Sequence, residues 1–183
     1  MLGIRRKYWA FRAGVETFFL WFLGAVPVGP GVWLRARCLP YYLDAMGENT
    51  VIQHGFRITN PERVRVGANC NFGQGVFITG GGGVLIGNWV GFGPDVKIWS
   101  VNHRFDDPDQ PWLLQGSIEK KVVIEDDVWL AANVFVMPGV TIERGAIVSA
   151  GSVVNKSVPA YSLFAGNPGR VIGWRKTPED SGN

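Results

Sequence analysis

The sequence predicts an all-β fold, a parallel β-helix assembled from six-residue repeats, and three observations support this. From residue 124 onward an aliphatic residue recurs every six positions, followed four positions later by a small or apolar residue. The same register occurs upstream, within residues 66–98. Glycine and asparagine, which tolerate tight turns, stand near the expected corners. The downstream aliphatic positions are Ile124, Leu130, Val136, Ile142, Val148 and Val154.

The strands must be short and separated by turns. All the repeating positions are even-numbered, so they share one face of an extended chain. A continuous strand would also bury Asp126, Arg144 and Lys156, and an unpaired buried charge is costly. Short strands that stack coil upon coil avoid this problem. A β-sandwich would need turn signals roughly every 8 to 12 residues, and a six-residue period does not match an α-helix of about 3.6 residues per turn.

The first 50 residues differ in composition from the repeats. Residues 1–50 contain six basic and three acidic residues, whereas residues 51–183 contain twelve of each. An apolar run over residues 17–28, TFFLWFLGAVPV, has 12 residues, and a membrane span needs about 20. A secretory signal is disfavoured because Glu16 precedes this run. The region therefore predicts a basic, aromatic-rich helical hairpin that lies on an anionic membrane surface or packs against the main domain or a sister subunit.

These compositions divide the chain and exclude several functions. We expect a helical segment over residues 1–50, a β-helix over residues 51–176 and a disordered tail over residues 177–183. Cys38 and Cys70 have no C-x-x-C spacing, so neither disulfides nor a zinc site is expected. The two histidines are too few for a three-histidine zinc site like that of gamma-class carbonic anhydrases, so we expect no metal. The balanced charge of the repeats disfavours nucleic-acid binding.

The repeat is interrupted after His103. About 20 residues, RFDDPDQPWLLQGSIEKKVV, separate His103 from the register that resumes at Ile124. Long loops in compact domains are usually functional or disordered. Trp112, Leu113 and Leu114 predict that this one is an ordered lid. His103 stands where a rigid coil meets the loop and is the candidate catalytic histidine, whereas His54 precedes the regular repeats and is interpreted as structural.

Four segments carry a resemblance to a known family: Asn102-His103, VIEDDVWLAANVFVMPGVTI (residues 123–142), VSAGSVVNKSVP (residues 148–159) and AGNPGRVI (residues 165–172). Together they resemble the hexapeptide-repeat sugar O-acetyltransferases, including maltose, galactoside and exopolysaccharide-modifying acetyltransferases. The resemblance runs from about Val64 to Trp174. It implies a left-handed β-helix, a homotrimer of three-sided prisms, and an active site between two subunits that uses acetyl-CoA and a saccharide acceptor.

The resemblance also implies roles for individual residues. His103 would be the general base that removes the proton of an acceptor hydroxyl as it attacks the thioester carbonyl. The backbone N–H of Ala132 would stabilise the oxyanion. Lys156 and Arg170 would lie near the coenzyme phosphates. The other coenzyme-binding candidates are Trp129, Ala131, Ala150 and Gly151, and the acceptor-binding candidates are Asn102, Asp106 and Trp112.

The acceptor side departs from the family pattern. Gly73 and Gly80–Gly83 stand where relatives with small-sugar substrates have polar or acidic residues, so we expect an open site suited to a polysaccharide or lipid-linked glycan precursor.

We expect the protein to be cytoplasmic, with peripheral contact at the inner membrane surface. The sequence leaves open an N-acetyltransferase of an amino sugar or antibiotic. A non-catalytic β-helix scaffold is a second alternative, although a scaffold would not need the segments predicted to bind the coenzyme.

Overall fold

The computed structural model describes residues 18–176, and the predicted parallel β-helix is confirmed. Five complete coils each contribute one strand to each of three parallel sheets. In chain order these strands are β1 (Ala45–Met46), β2 (Val51–Ile52), β3 (Arg57–Thr59), β4 (Val64–Val66), β5 (Asn71–Phe72), β6 (Phe77–Thr79), β7 (Val84–Ile86), β8 (Gly91–Phe92), β9 (Lys97–Trp99), β12 (Val122–Ile124), β13 (Trp129–Leu130), β14 (Phe135–Val136), β15 (Thr141–Ile142), β16 (Ile147–Val148) and β17 (Val153–Val154).

Four further strands extend this frame. Between the third and fourth coils the chain forms β10 (Val101–His103) and β11 (Ser117–Glu119), which pair antiparallel. Above the fifth coil, β18 (Ser162–Gly166) joins the second sheet and pairs antiparallel with β19 (Gly169–Trp174). The first coil begins at Ala45, which is earlier than the sequence predicted, because Ala45 and Met46 already pair with β4.

The core follows the predicted alternation. From Ile52 to Phe164 the buried hydrophobic side chains are even-numbered. The even-numbered charged residues Asp126, Arg144 and Lys156 lie at corners and are not buried. Ser152 occupies a core position, and its hydroxyl donates to the Ser149 carbonyl and accepts from Gly166 N–H. The polar atom is therefore satisfied, and the coils stack without burying an unpaired charge.

A helical hairpin covers the first coil. Residues 18–25 are helical (α1), α2 spans Pro30–Cys38, and a 3₁₀ helix follows at Leu39–Tyr41. Leu23, Leu39 and Leu43 join the core of the β-helix, so one face of the hairpin packs against the main domain. No helix within residues 18–176 is long and apolar enough to cross a membrane. The basic cluster at residues 5–12 and the tail at residues 177–183 lie outside the described residues.

Arg35 fastens this hairpin to the β-helix. Its side chain is fully buried, and it donates hydrogen bonds to the carbonyls of Leu23, Val26 and Ile52 at 2.7–2.8 Å. Two of these carbonyls lie at the C-terminal end of α1, where a cation is favourable. Burial lowers the pKa of Arg35, but a guanidinium remains charged at neutral pH. One buried cation thus connects α1, α2 and β2.

We predict that Arg35→Ala destabilises the protein by about 3 kcal/mol or more, because three carbonyls lose their donor and a cavity remains. Arg37→Ala on the same helix is the matched control, since Arg37 is exposed and its removal should change stability by less than about 0.5 kcal/mol. Urea denaturation measures both values. Equal stability of the two variants would show that Arg35 does not fasten the hairpin.

Candidate active site

The interruption of the repeat forms an arm, residues 101–119. Its base is the antiparallel pair β10 and β11, and its tip is short. In the arm, His103 pairs with Ser117 and Val101 pairs with Glu119. A 3₁₀ helix at Trp112–Leu114 occupies the tip. The insertion therefore has secondary structure of its own, as the apolar residues within it predicted.

The polar residues of the arm hold its tip together. The side chain of Gln115 accepts from the Asp107 N–H at 3.0 Å and donates to the carbonyls of Asp107 and Gln110. Asp109 N–H donates to the Asp107 carboxylate at 3.0 Å. Asp106 forms an exposed ion pair with Arg104 at 3.6 Å. In this structure Asp106, the carboxylate predicted to contact the acceptor, is thus paired within the arm.

His103 is exposed at the end of β10 and is contacted by Trp112. The two ring centroids lie 4.8 Å apart with an interplanar angle of 75°, an edge-to-face arrangement. Asn102 Oδ1 accepts the His103 backbone N–H at 2.9 Å. Trp112 is 54% exposed, and its neighbours Leu113 and Leu114 are more exposed still. The indole therefore orients the imidazole from one side, while the tip of the arm stays open to a ligand or another chain.

The base of the arm lies directly on the glycine run of the coil below. A Cβ added to Gly81 would lie 2.5 Å from Cγ2 of Val101, and a Cβ on Gly82 would collide with the backbone of Ser100 and Lys120. Gly82 N–H donates to Ser100 Oγ at 2.9 Å. These glycines are needed for close packing, so they do not support the expectation that they open an acceptor site.

An ion pair that the sequence does not predict adds to this contact. Arg63 pairs with Glu119 at 3.2 Å and donates to the carbonyl of Gly81. The two side chains are 56 residues apart in sequence, and the repeat gives no sign that they meet. Both side chains are 53% exposed, so the ion pair itself contributes little to stability. It joins β11, the strand paired with β10, to the coil below.

The predicted coenzyme residues stack at a different edge. Ala131 and Ala132 turn the chain from the second sheet to the third, and Gly151 N–H, one coil above, donates to the Ala132 carbonyl at 2.9 Å. Below them, a Cβ on Gly93 would lie 2.5 Å from Ala132 N. Within residues 18–176, the Ala132 N–H has no protein acceptor. With Ala150 exposed beside Gly151, this edge forms a column of small residues.

Trp129, Lys156 and Arg170 are all exposed but lie apart from one another. Trp129 is on the outer face of the second sheet, with its indole 3.3 Å from the Cβ position of Gly91. Lys156 follows β17, on the edge between the third and first sheets. Arg170 is in β19, opposite Ala165. Within residues 18–176, no group of three or more His, Cys, Asp or Glu side chains could hold a metal ion.

One chain does not bring His103 and Ala132 together around a ligand. The arm leaves the edge between the third and first sheets, because it joins β9 to β12. Ala132 lies on the edge between the second and third sheets, because it joins β13 to β14. The full width of the third sheet separates the two. His54 is elsewhere, on the first coil, with its Nδ1 buried and unpartnered among the described residues.

We predict that Gly82→Ala loosens the base of the arm and destabilises the protein by about 1–3 kcal/mol, because the added methyl has no space. Amide hydrogen exchange should show lost protection in β10 and β11. Gly173→Ala is the control, since its methyl would meet only ordinary contacts of 3.5 Å or more. Unchanged exchange in the arm of Gly82→Ala would contradict the proposed packing.

Comparison with known proteins gives consistent matches. A family profile described as bacterial transferase hexapeptide (six repeats) matches residues 121–156. The chain is 35% identical over 142 residues to galactoside O-acetyltransferase of Lactococcus lactis, covering 73% of this chain and 64% of that protein. It is 32% identical over 167 residues to the Escherichia coli protein named "Putative colanic acid biosynthesis acetyltransferase WcaF", covering 90% of this chain and 84% of that one. The chain thus spans slightly less than two thirds of the first relative.

Solved structures agree with this relationship. A hexapeptide-repeat containing acetyltransferase from Vibrio cholerae, complexed with acetyl coenzyme A, superposes with a TM-score of 0.80 at 28% identity, covering 89% of this chain and 87% of that one. A maltose O-acetyltransferase from Clostridium difficile superposes with a TM-score of 0.72 at 23% identity, covering 88% and 86%, and at that identity it supports the fold alone.

Proposed function

Because this chain belongs to the family of hexapeptide-repeat bacterial transferases, we propose that it is an acetyl-CoA-dependent O-acetyltransferase that modifies a saccharide hydroxyl. The observation that carries the proposal is His103 itself. It is an exposed imidazole on an arm whose base is held by strand pairing and by close packing on Gly81 and Gly82. A general base must be accessible and held in place, and His103 meets both conditions.

In the proposed reaction, a neutral nitrogen of His103 accepts the proton of the acceptor hydroxyl as its oxygen attacks the thioester carbonyl. The tetrahedral intermediate carries an oxyanion, which the Ala132 N–H stabilises. When the intermediate collapses, the C–S bond breaks and His103 returns the proton to the leaving thiolate. Trp112 supports this role by orienting the imidazole through the edge-to-face contact at 4.8 Å.

We propose that acetyl-CoA lies along the column of small residues at Ala131, Ala132, Ala150 and Gly151. Two features support this placement. The column offers backbone close to the surface, which the pantetheine amides can pair with, and the Ala132 N–H lacks a protein acceptor within residues 18–176. The V. cholerae structure contains acetyl coenzyme A on a similar fold. Trp129 would pack beside the pantetheine chain, and Arg170 would bind the phosphates. Lys156 lies on the edge from which the arm leaves, so it would reach the phosphates from the neighbouring subunit.

The proposed active site requires two chains. His103 and Ala132 lie on different edges of one prism, so a ligand bound by both must lie between one subunit's arm and a neighbour's column. A cyclic trimer places each arm against the next subunit and closes the ring. The exposed tip residues Trp112, Leu113 and Leu114 are suited to pack on that neighbour.

We propose that the acceptor is a polysaccharide or lipid-linked glycan precursor. The names of two relatives, a galactoside O-acetyltransferase and a colanic acid biosynthesis acetyltransferase, favour a saccharide hydroxyl over an amine. The exposed residues Asn102, Asp106 and Trp112 would contact the sugar near His103.

The cytoplasm, where acetyl-CoA is made, is the proposed compartment. Two free cysteines, Cys38 and Cys70, are compatible with its reducing conditions.

We predict that His103→Ala lowers the rate of acetyl transfer about 10²- to 10⁴-fold, because the general base is lost. Release of coenzyme A thiol from acetyl-CoA, measured with a panel of glycans, checks this. His54→Gln removes the other histidine and should retain activity. Activity of His103→Ala near that of the unmodified protein would remove His103 from the mechanism.

We predict that mixed oligomers distinguish a shared site from a site within one chain. His103→Ala and Ala150→Trp, which blocks the coenzyme column, should each be inactive alone. After unfolding and refolding together in equal amounts, about one quarter of the interfaces in a randomly mixed trimer should combine an intact arm with an intact column. Activity should return to about that fraction. No recovery from a well-folded mixture would contradict a site between subunits.

A further inference from the structure

The helical hairpin, residues 18–43, carries an apolar face that the β-helix does not use. In α1, Leu23 is buried and Gly24 abuts the backbone of Phe56, so this side of the helix is packed. The opposite side presents Phe18, Trp21 and Phe22, which are 48–65% exposed. A helix that is apolar on all sides is usually buried or in contact with lipid.

The second helix shows the same division. In α2, Arg35 is fully buried, whereas Trp33 is 66% exposed on the other side. Arg37 lies one helical turn after Trp33 and is exposed, and Tyr41 follows in the next turn. Tryptophan and tyrosine have an apolar ring and a polar group, which suits them to the boundary between lipid and water.

The charge of the hairpin is of one sign. Residues 17–43 contain no aspartate or glutamate. Arg57 of β3 is exposed, with its guanidinium over the Phe77 ring at 4.7 Å, and it lines with Trp21 a groove of about 330 Å³ between α1 and the first coil. The sequence before the hairpin adds Arg5, Arg6, Lys7 and Arg12, with one acidic residue, Glu16. Aromatic residues with basic neighbours are the combination that anionic membrane surfaces attract.

We propose that the hairpin binds flat on an anionic phospholipid surface, with Phe18, Trp21, Phe22 and Trp33 at the acyl boundary and Arg37 and Arg57 at the headgroups. This contact rests on the hairpin and not on the proposed chemistry. Together with that chemistry, it brings the enzyme to a lipid-linked acceptor. A twofold contact between two copies of this face is disfavoured, because it would place Arg37 opposite Arg37 with no acidic residue in either hairpin.

Vesicle co-sedimentation of the full chain tests this contact. Binding to phosphatidylcholine vesicles containing phosphatidylglycerol should exceed binding to pure phosphatidylcholine vesicles, and should fall as salt increases. Arg37→Gln should lower the partition coefficient about fivefold on anionic vesicles. Trp21→Ser with Trp33→Ser should lower it roughly tenfold or more, because two aromatic rings no longer enter the boundary.

Trp89→Asn is the matched control, since Trp89 is also 66% exposed but lies outside the hairpin, and asparagine tolerates its φ of 60°. It should leave vesicle binding unchanged. Equal binding of all variants, or no binding to anionic vesicles, would overturn the proposal. So would a change of oligomeric state in the double tryptophan variant without a change in vesicle binding, which would assign the face to another copy. Acetyl transfer to a soluble glycan, measured in parallel, tests the proposed function separately.

Discussion

The stacking of coils is the constraint on which the rest of the structure depends. Each coil places its even-numbered residues inside the prism, where a charge would be costly, and hydrogen-bonds its backbone to the coils above and below. The charged side chains of the coils are therefore confined to the outer faces, the edges and the interruptions of the repeat. His103 lies at the largest interruption and the Ala131–Ala132 turn lies at an edge, so both positions follow from the same constraint.

The sequence predicted the parts of the structure that repeat. The six-residue period identified most core positions from Val66 to Val158, although not Val84 and Val122, and the charges at Asp126 and Arg144 located corners. The sequence did not predict contacts between distant segments. Burial of Arg35 depends on carbonyls at the end of α1 and in β2 that accept its hydrogen bonds. The Arg63–Glu119 ion pair depends on the hairpin of β10 and β11 in the insertion. No local pattern encodes either contact.

The glycines near the candidate site show the same limit. From the sequence alone, Gly81 and Gly82 indicate positions that lack acceptor-binding side chains. In the structure they allow Val101 and Ser100 to approach the coil below. A glycine that permits close packing and a glycine that leaves room for a ligand cannot be distinguished without knowing what lies above it. Of the predicted site residues, Asn102, His103 and Trp112 lie together on the arm, while the proposed coenzyme residues Ala131, Ala132, Ala150 and Gly151 share a separate edge.

The proposed active site is therefore divided between subunits, with the base from one chain and the coenzyme-binding column from the next. A crystal structure of the oligomer with bound coenzyme A tests this most directly. A divided site should place the coenzyme thiol at roughly hydrogen-bonding distance from the imidazole of one subunit's His103 and beside Ala132 of its neighbour. A coenzyme bound to residues of a single chain, or far from every His103, would contradict it.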